Sequence, residues 1–250
     1  MPHADLIIRP LRAAFAWLGL HELPALLAVA VLSGGVWVFL EVADEVVERE
    51  SAGVDESLLL ALRTASDPDD PLGPAWVEEM ARDFTALGGT GVLTLITGAA
   101  LGYLLLAGRR RTALLTLAAV AGGLLISTLL KAGFDRPRPD LVPHESVVYT
   151  ASFPSGHSMM AAVTYLTLAA ILTRVLATPL LKAWALLVAG FLTLLVGVSR
   201  VYLGVHWPTD VPGGWAAGAA WAALCWLGAR QLQRRRLVES GQDRERPVQD

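Results

Sequence analysis

Residues 183–210 read AWALLVAGFLTLLVGVSRVYLGVHWPTD. From Ala183 to Ser199 there is no charged side chain; then Arg200, His206 and Asp210 follow in quick succession. An unbroken apolar stretch of this length is close to the roughly 17–25 residues that a helix needs to cross a bilayer. Hydrocarbon offers the backbone no hydrogen-bond partner, so only helices and closed barrels span it. The stretch is too long and too uniformly apolar for a barrel strand. It reads as a membrane helix that delivers polar chemistry at its end.

Five further runs share that character: Leu23–Leu40, Ala86–Gly108, Thr112–Leu130, Ser158–Thr173 and Val211–Ala229. Ser158–Thr173 is a little short, and borrows His157 and a snorkelling Arg174 at its ends. The chain of 250 residues is 54% hydrophobic and 17% charged, against about 25% charged in ordinary soluble domains. The predicted fold class is all-α: a six-helix transmembrane bundle occupying residues 23–229. The first run follows Arg9 and Arg12 but exceeds the roughly 7–15 apolar residues of a signal-peptide core. It reads as a retained span behind a short N-terminal segment, residues 1–22.

Charge sets the expected topology. Arg9 and Arg12 precede the first run, Arg109, Arg110 and Arg111 separate the second from the third, Arg174 and Lys182 follow the fourth, and Arg230, Arg234, Arg235 and Arg236 follow the sixth. Alternating helices bring all four groups to one side, and basic loops mark the cytoplasm. Both termini are therefore expected inside a plasma membrane, with residues 230–250 as a charged tail. The acidic segment 43–85 then lies outside. Within it Val54–Arg63 reads as a short amphipathic helix, Asp67-Pro68-Asp69-Asp70-Pro71 as a breaker, and Pro74–Phe84 as a second helix. This connector either caps the bundle or lies in the interface and helps a lipid reach the site. Gly98–Gly102 and Gly214–Gly218 fit the small-xxx-small pattern of close helix packing.

Three polar strings fall on the expected outer side. In the first, Lys131-x6-Arg138-Pro139, Arg136 and Arg138 are each held by a following proline on the side where cationic anchors are not needed, and they read as ligands for an anion. Asp135 and Asp140 offer a competing explanation as ion-pair partners. The second is Pro154-Ser155-Gly156-His157, at the start of a run. A helix N-terminus has unpaired N–H groups and a positive dipole end, and Gly156 lets an anion approach; the alternative is an ordinary Ser155 cap beside a surface His157. In the third, Ser199-Arg200-x5-His206-x3-Asp210, a carboxylate accepting the Nδ1 proton would leave Nε2 of His206 as the nucleophile. Whether His206 and Asp210 share one helix is left open by Pro208.

Together these strings resemble the signature of the type 2 phosphatidic acid phosphatase superfamily, the lipid phosphate phosphatases. The resemblance runs from about Gly88 to Gly218, with residue types, order and spacing all matched. It implies that His206 is the nucleophile of a phosphohistidine intermediate, Asp210 its orienting partner and His157 the general acid. It implies that Lys131, Arg138, Ser155, Gly156 and Arg200 bind the phosphate, with no metal or other cofactor. The implied substrate is a lipid phosphate or pyrophosphate, such as undecaprenyl pyrophosphate, phosphatidylglycerophosphate or phosphatidic acid, met among membrane lipids at the extracytoplasmic face.

Two other functions fit part of the pattern. A vanadate-dependent haloperoxidase shares such an anion pocket but is soluble, and a non-catalytic anion-binding membrane protein or transporter would not need two histidines and a carboxylate together. A net charge of −3 gives no argument for nucleic acid. Cys225 is the sole cysteine, which excludes a disulfide framework and a thiolate metal site and makes it a core residue. His3, His21 and His144 read as solvated, and the eight tryptophans mostly as an interfacial belt. Nothing in the chain fixes an oligomeric state.

Overall fold

Apolar runs become helices, but charge alone does not mark where they begin and end. The computed structural model describes residues 3–142 and 150–235, with side chains from residue 22 onward. Expectations resting on the side chains of His3, Arg9, Arg12, Trp17, His21 and His144, or on residues 236–250, lie outside that part. The described elements are α1 (His3–Glu48), α2 (Ala52–Leu60), β1 (Arg63–Thr64), β2 (Asp67–Pro71), α3 (Ala75–Ala86), α4 (Thr90–Leu106), α5 (Arg110–Phe134), α6 (Gly156–Leu172), α7 (Pro179–Tyr202) and α8 (Asp210–Arg234).

Three of the described helices are long and apolar enough to cross a membrane: α1 over Glu22–Glu48, α5 and α7. The pair α3 and α4, bent by 46°, passes together as a fourth. The second apolar run therefore does not start a helix at Ala86. The chain breaks over Leu87–Gly89, where a Cβ on Gly88 would lie 2.3 Å from Val196 of α7. The remaining two runs form α6, apolar but only 17 residues long, and α8, whose 25 residues are rich in Ala and Gly and end in a polar turn. These two are inner helices. α8 packs chiefly against α1 and α6, and needs small side chains rather than lipid-facing bulk.

Glycine makes that packing possible. A Cβ on Gly214 would lie 2.6 Å from the Ser155 carbonyl, and one on Gly218 would lie 2.5 Å from that of Met159. The Gly214–Gly218 pair is thus a close α8–α6 contact, whereas nothing lies within 4 Å of a Cβ on Gly98 or Gly102. Two tryptophans depart from the interfacial reading. Trp215 Nε1 donates to Thr193 O of α7 at 3.0 Å and Trp221 Nε1 to Ala119 O of α5 at 2.7 Å. Each ring fills the space left by glycines, Gly197 under Trp215 and Gly122 under Trp221. Trp37, Trp76 and Trp184 are exposed. Cys225 is half-buried on α8.

The segment between α1 and α4 folds onto the end of this bundle. The Asp-Pro stretch read as a breaker instead pairs, as β2, antiparallel with β1. Arg63 donates to Tyr202 O at 3.0 Å, and the Tyr202 hydroxyl donates to Leu72 O at 3.2 Å. Ala81 joins Leu203 and Val205 in a small apolar cluster. At the neighbouring corner Phe39, Phe134 and Phe153 stack edge and face, tying α1 to both ends of the α5–α6 loop.

The glycine contacts make a direct prediction. Gly214→Val should destabilise the bundle by more than the roughly 1–3 kcal/mol of ordinary overpacking, because its neighbour is backbone. Gly102→Val should be neutral. Thermal unfolding in detergent measures both, and equal effects would contradict the assigned α6–α8 contact.

Candidate active site

Each signature string ends an element, and the ends meet. Lys131 lies in the last turn of α5, which stops where Asp135 adopts a left-handed conformation (φ 44°). Its Nζ donates to Ala151 O at 2.6 Å and Ser152 O at 3.3 Å. Arg138 follows in the proline-punctuated loop and donates from Nε to Thr150 O at 2.9 Å and from Nη1 to Val205 O at 2.6 Å. Ser155 caps α6, its hydroxyl oxygen accepting from Ser158 N–H. A Cβ on Gly156 would lie 3.2 Å from Lys131 Cε, so a bare backbone brings the helix N-terminus against the lysine. The free N–H groups and dipole of that turn favour an anion.

Arg200 closes α7 and is buried, at 2% exposure. Its Nη1 donates to Thr85 at the end of α3, at 2.8 Å. Its Nε has no hydrogen-bond partner among the described residues. Buried donors are normally satisfied, so an orphaned guanidinium N–H here fits an oxyanion ligand.

His206 and Asp210 do not share a helix. The first precedes α8 and the second begins it, and a turn brings His206 Nδ1 to 3.1 Å from Asp210 Oδ2. On the other side of the ring, Arg138 Nη1 lies 3.1 Å from Nε2. A guanidinium can only donate, so Nε2 holds the lone pair and Nδ1 carries the proton towards Asp210. Burial pushes the His206 imidazole down to about 3, although its hydrogen bond to Asp210 pulls the other way. The ring is therefore neutral at physiological pH, and its one basic nitrogen faces the cations.

Lys131, Arg138, Gly156, His157 and His206 line a single cavity of about 510 Å³. It continues between α4 and α5 along Thr97, Gly98, Leu101, Val120, Ala121 and Leu124. One end is cationic and the rest is an apolar groove. Ser155, Arg200 and Asp210 are buried beside it.

Several residues around this site carry no motif. Ser152, fully buried, donates its hydroxyl proton to Asp210 Oδ2 and lies 3.3 Å from His206 Nδ1. Trp207 N–H donates to the same oxygen at 2.9 Å. Arg136 was expected to meet an anionic ligand, or Asp135 or Asp140. It pairs instead with Asp210 at 2.7 Å and with Asp55 of α2 at 2.6 Å. Of these, Arg136 had a readable signal in the proline that follows it, and Trp207 in its place beside His206.

A helical bundle with membrane-length spans and a basic, imidazole-bearing pocket at its helix ends falls in the class of integral-membrane phosphatases. More particularly, the chain belongs to the PAP2 superfamily, whose profile matches residues 112–234. It is 40% identical over 153 residues, 57% of this chain and 70% of the other, to phosphatidylglycerophosphatase B of Bacillus subtilis. A shorter match, 38% over 68 residues (27% of this chain, 29% of the other), links it to undecaprenyl-diphosphatase of Sulfolobus acidocaldarius. Its fold resembles the crystal structure of a transmembrane PAP2-type phosphatidylglycerolphosphate phosphatase from Bacillus subtilis. The TM-score is 0.67 at 29% identity, over 82% of this chain and 98% of that one.

The neutral, buried imidazole predicts a flat titration. In the ligand-free protein, the ring C–H resonance that disappears in His206→Asn should not move between about pH 5 and 8, whereas an unperturbed histidine titrates near 6.5. A midpoint inside that window would contradict the burial-dominated environment.

Proposed function

We propose that this protein is a metal-independent phosphatase that removes the terminal phosphate of a lipid phosphate through a phosphohistidine on His206. The observation that carries the proposal is the orientation of the His206 ring. Asp210 holds one nitrogen, and the other faces Arg138 in a cavity whose far end is apolar.

The phosphoryl group enters among Lys131, Arg138, Arg200 and the N-terminus of α6. Phosphoryl transfer makes little covalent demand on the protein and a large electrostatic one, and fixed cations meet it. Nε2 of His206 attacks phosphorus in line, forming a P–N bond as the P–O bond to the leaving group breaks. His157, lining the same cavity, gives its proton to the departing oxygen. Water then attacks phosphorus, His157 takes the water's proton, the P–N bond breaks and inorganic phosphate leaves. Asp210 stabilises the imidazole as it gains positive character. Among the described residues no group of three or more His, Cys, Asp or Glu side chains could hold a metal ion, and the mechanism asks for none.

The apolar groove between α4 and α5 suits an acyl or isoprenoid tail beside a phosphate held at the cationic end. The similarity to phosphatidylglycerophosphatase B favours a glycerophospholipid bearing a terminal phosphomonoester over a polyprenyl diphosphate. We further read α1, α4, α5, α6, α7 and α8 as six spans. The signature ends are extracytoplasmic and the arginines at 109–111, 174 and 230–235 cytoplasmic, in a bacterial plasma membrane. The 25 residues of α8 are long enough to cross at about 1.5 Å per residue.

Purified protein should release phosphate from phosphatidylglycerophosphate with higher kcat/KM than from phosphatidic acid or undecaprenyl pyrophosphate, and equally well in EDTA. His206→Ala should abolish turnover, and Arg200→Ala should cost about 10²–10³ in kcat. Turnover confined to water-soluble phosphates, or lost on chelation, would defeat the proposal. The topology is checked separately. A cysteine at Glu79 should react with an impermeant maleimide on intact cells, and one at Arg110 only after lysis. The reverse pattern would invert the site.

A further inference from the structure

Outside the signature, one buried charged network reaches the reacting atoms. Arg136 lies within the first string but at none of its defining positions, and its two terminal nitrogens grip two carboxylates. Nη1 donates to Asp210 Oδ1 at 2.7 Å and to the Thr209 hydroxyl oxygen at 2.9 Å. Nη2 donates to Asp55 Oδ2 at 2.6 Å. Asp55 in turn accepts the Thr209 N–H at 2.9 Å and the Thr209 hydroxyl at 2.7 Å. Both carboxylates are fully buried, at 0% exposure. Asp55 comes from α2, in the connector that folds back over the bundle, more than a hundred residues away in sequence from Asp210.

We propose that Asp55 and Arg136 are positioning residues of the phosphatase, forming a relay Asp55–Arg136–Asp210–His206 that fixes both the rotamer and the effective charge of Asp210. The proposal rests on the reading of His206 as nucleophile. The geometry gives each member a task. Arg136 occupies Oδ1 of Asp210 and so turns Oδ2 towards His206 Nδ1, Ser152 and the Trp207 N–H. A lone guanidinium on Oδ1 would also drain the carboxylate's field from the imidazole. Asp55 shares that guanidinium, so one cation is divided between two carboxylates and a net negative charge remains on Asp210's side. An anion beside Nδ1 makes Nε2 more basic and stabilises the developing imidazolium. The clamp of Asp55 on Thr209, the residue before α8, holds the first turn of the helix that carries Asp210.

This assigns α2 a duty in the chemistry. The connector supplies a carboxylate without which Arg136 would weaken Asp210.

The test uses opposite charge changes at the two ends of the relay. Asp55→Asn keeps an oxygen to accept from Thr209 but removes a negative charge; Arg136→Gln removes a positive one; Arg136→Lys keeps the charge without the fork. Each full-length variant is purified in detergent and assayed on one lipid phosphate across pH, so the substrate's own ionisation is common to all. His206 is faced by Asp210 from α8, Ser152 and Arg138 from the α5–α6 loop, Arg200 from α7 and His157 from α6, and these are unchanged throughout.

We expect Asp55→Asn and Arg136→Gln each to lower kcat at least tenfold with KM within threefold. The acid limb of the kcat profile should move to lower pH in Asp55→Asn and to higher pH in Arg136→Gln, because losing an anion makes an imidazole less basic and losing a cation makes it more so. Arg136→Lys should restore the limb to its normal position. Activity falling only in step with the folded fraction, with both limbs unmoved, would overturn the relay in favour of a purely structural bridge. A raised KM at constant kcat would overturn it in favour of substrate binding. If Arg136→Gln does not fold, the Asp55→Asn limb decides alone. No turnover by the unaltered protein would instead remove the phosphatase reading beneath the relay.

Discussion

One carboxylate organises the polar end of this protein. Asp210 is fully buried, and desolvating an ionised carboxylate costs several kcal/mol unless its lone pairs are met. They are met by four donors: Arg136 on Oδ1, then His206, the Ser152 hydroxyl and the Trp207 N–H on Oδ2. Its own backbone carbonyl accepts from Ser155 N–H at 2.9 Å. The α5–α6 loop, the α7–α8 turn and the N-terminus of α6 are thus all referenced to one residue. Displacing any of them leaves a charge underpaired in a low-dielectric site, so the set holds together or fails together.

That convergence is possible only because α6 and α8 lie nearly backbone to backbone. Gly214 and Gly218 remove the side chains that would otherwise separate them. Membrane helices gain little from the hydrophobic effect when they associate in lipid, and rely on close contact and interhelical hydrogen bonds. The same small residues that hold the bundle together therefore set the distance between the Ser155–His157 turn and the start of α8. Trp215 and Trp221 do the complementary work on the other flank. Each large ring sits over a glycine and donates to a carbonyl of the neighbouring helix. Packing and catalytic geometry are one constraint here.

The sequence made the three strings legible because their chemistry is local. A proline-bounded arginine, a Ser-Gly helix start and an imidazole four residues from a carboxylate can each be read without knowing the fold. The six apolar runs were legible too, though not as six equally apolar helices, since inner helices built of Ala and Gly look less greasy than those that meet lipid. What stayed hidden is what depends on distant partners. Nothing about Asp55 sets it apart from the other acidic residues of its segment, and nothing about Thr85 marks it as the hydroxyl that orients Arg200. The hairpin of β1 and β2 was missed because prolines in Asp67–Pro71 read as breakers, yet an isolated two-stranded edge tolerates them. The tryptophan reading failed at Trp215 and Trp221 because composition registers an amphipathic ring without registering the glycine beneath it.

The two loop arginines show how position divides labour between identical side chains. Arg136 and Arg138 are two residues apart, each followed by a proline that holds the preceding residue extended. Their side chains nevertheless bond different partners. Arg136 turns to Asp55 and Asp210, where two buried anions absorb its charge. Arg138 turns to carbonyl oxygens and to Nε2 of His206, with no carboxylate bonded to it among the described contacts. Lys131 is likewise held by carbonyls, and Arg200 by a hydroxyl. Neutral acceptors orient these three cations without pairing them to an anion. Among the described contacts of the connector's carboxylates, the one that reaches the site is made by Asp55, which bonds Arg136, an arginine that does not line the cavity. A pocket so arranged favours an anion at its cationic end, while burial keeps its histidine neutral.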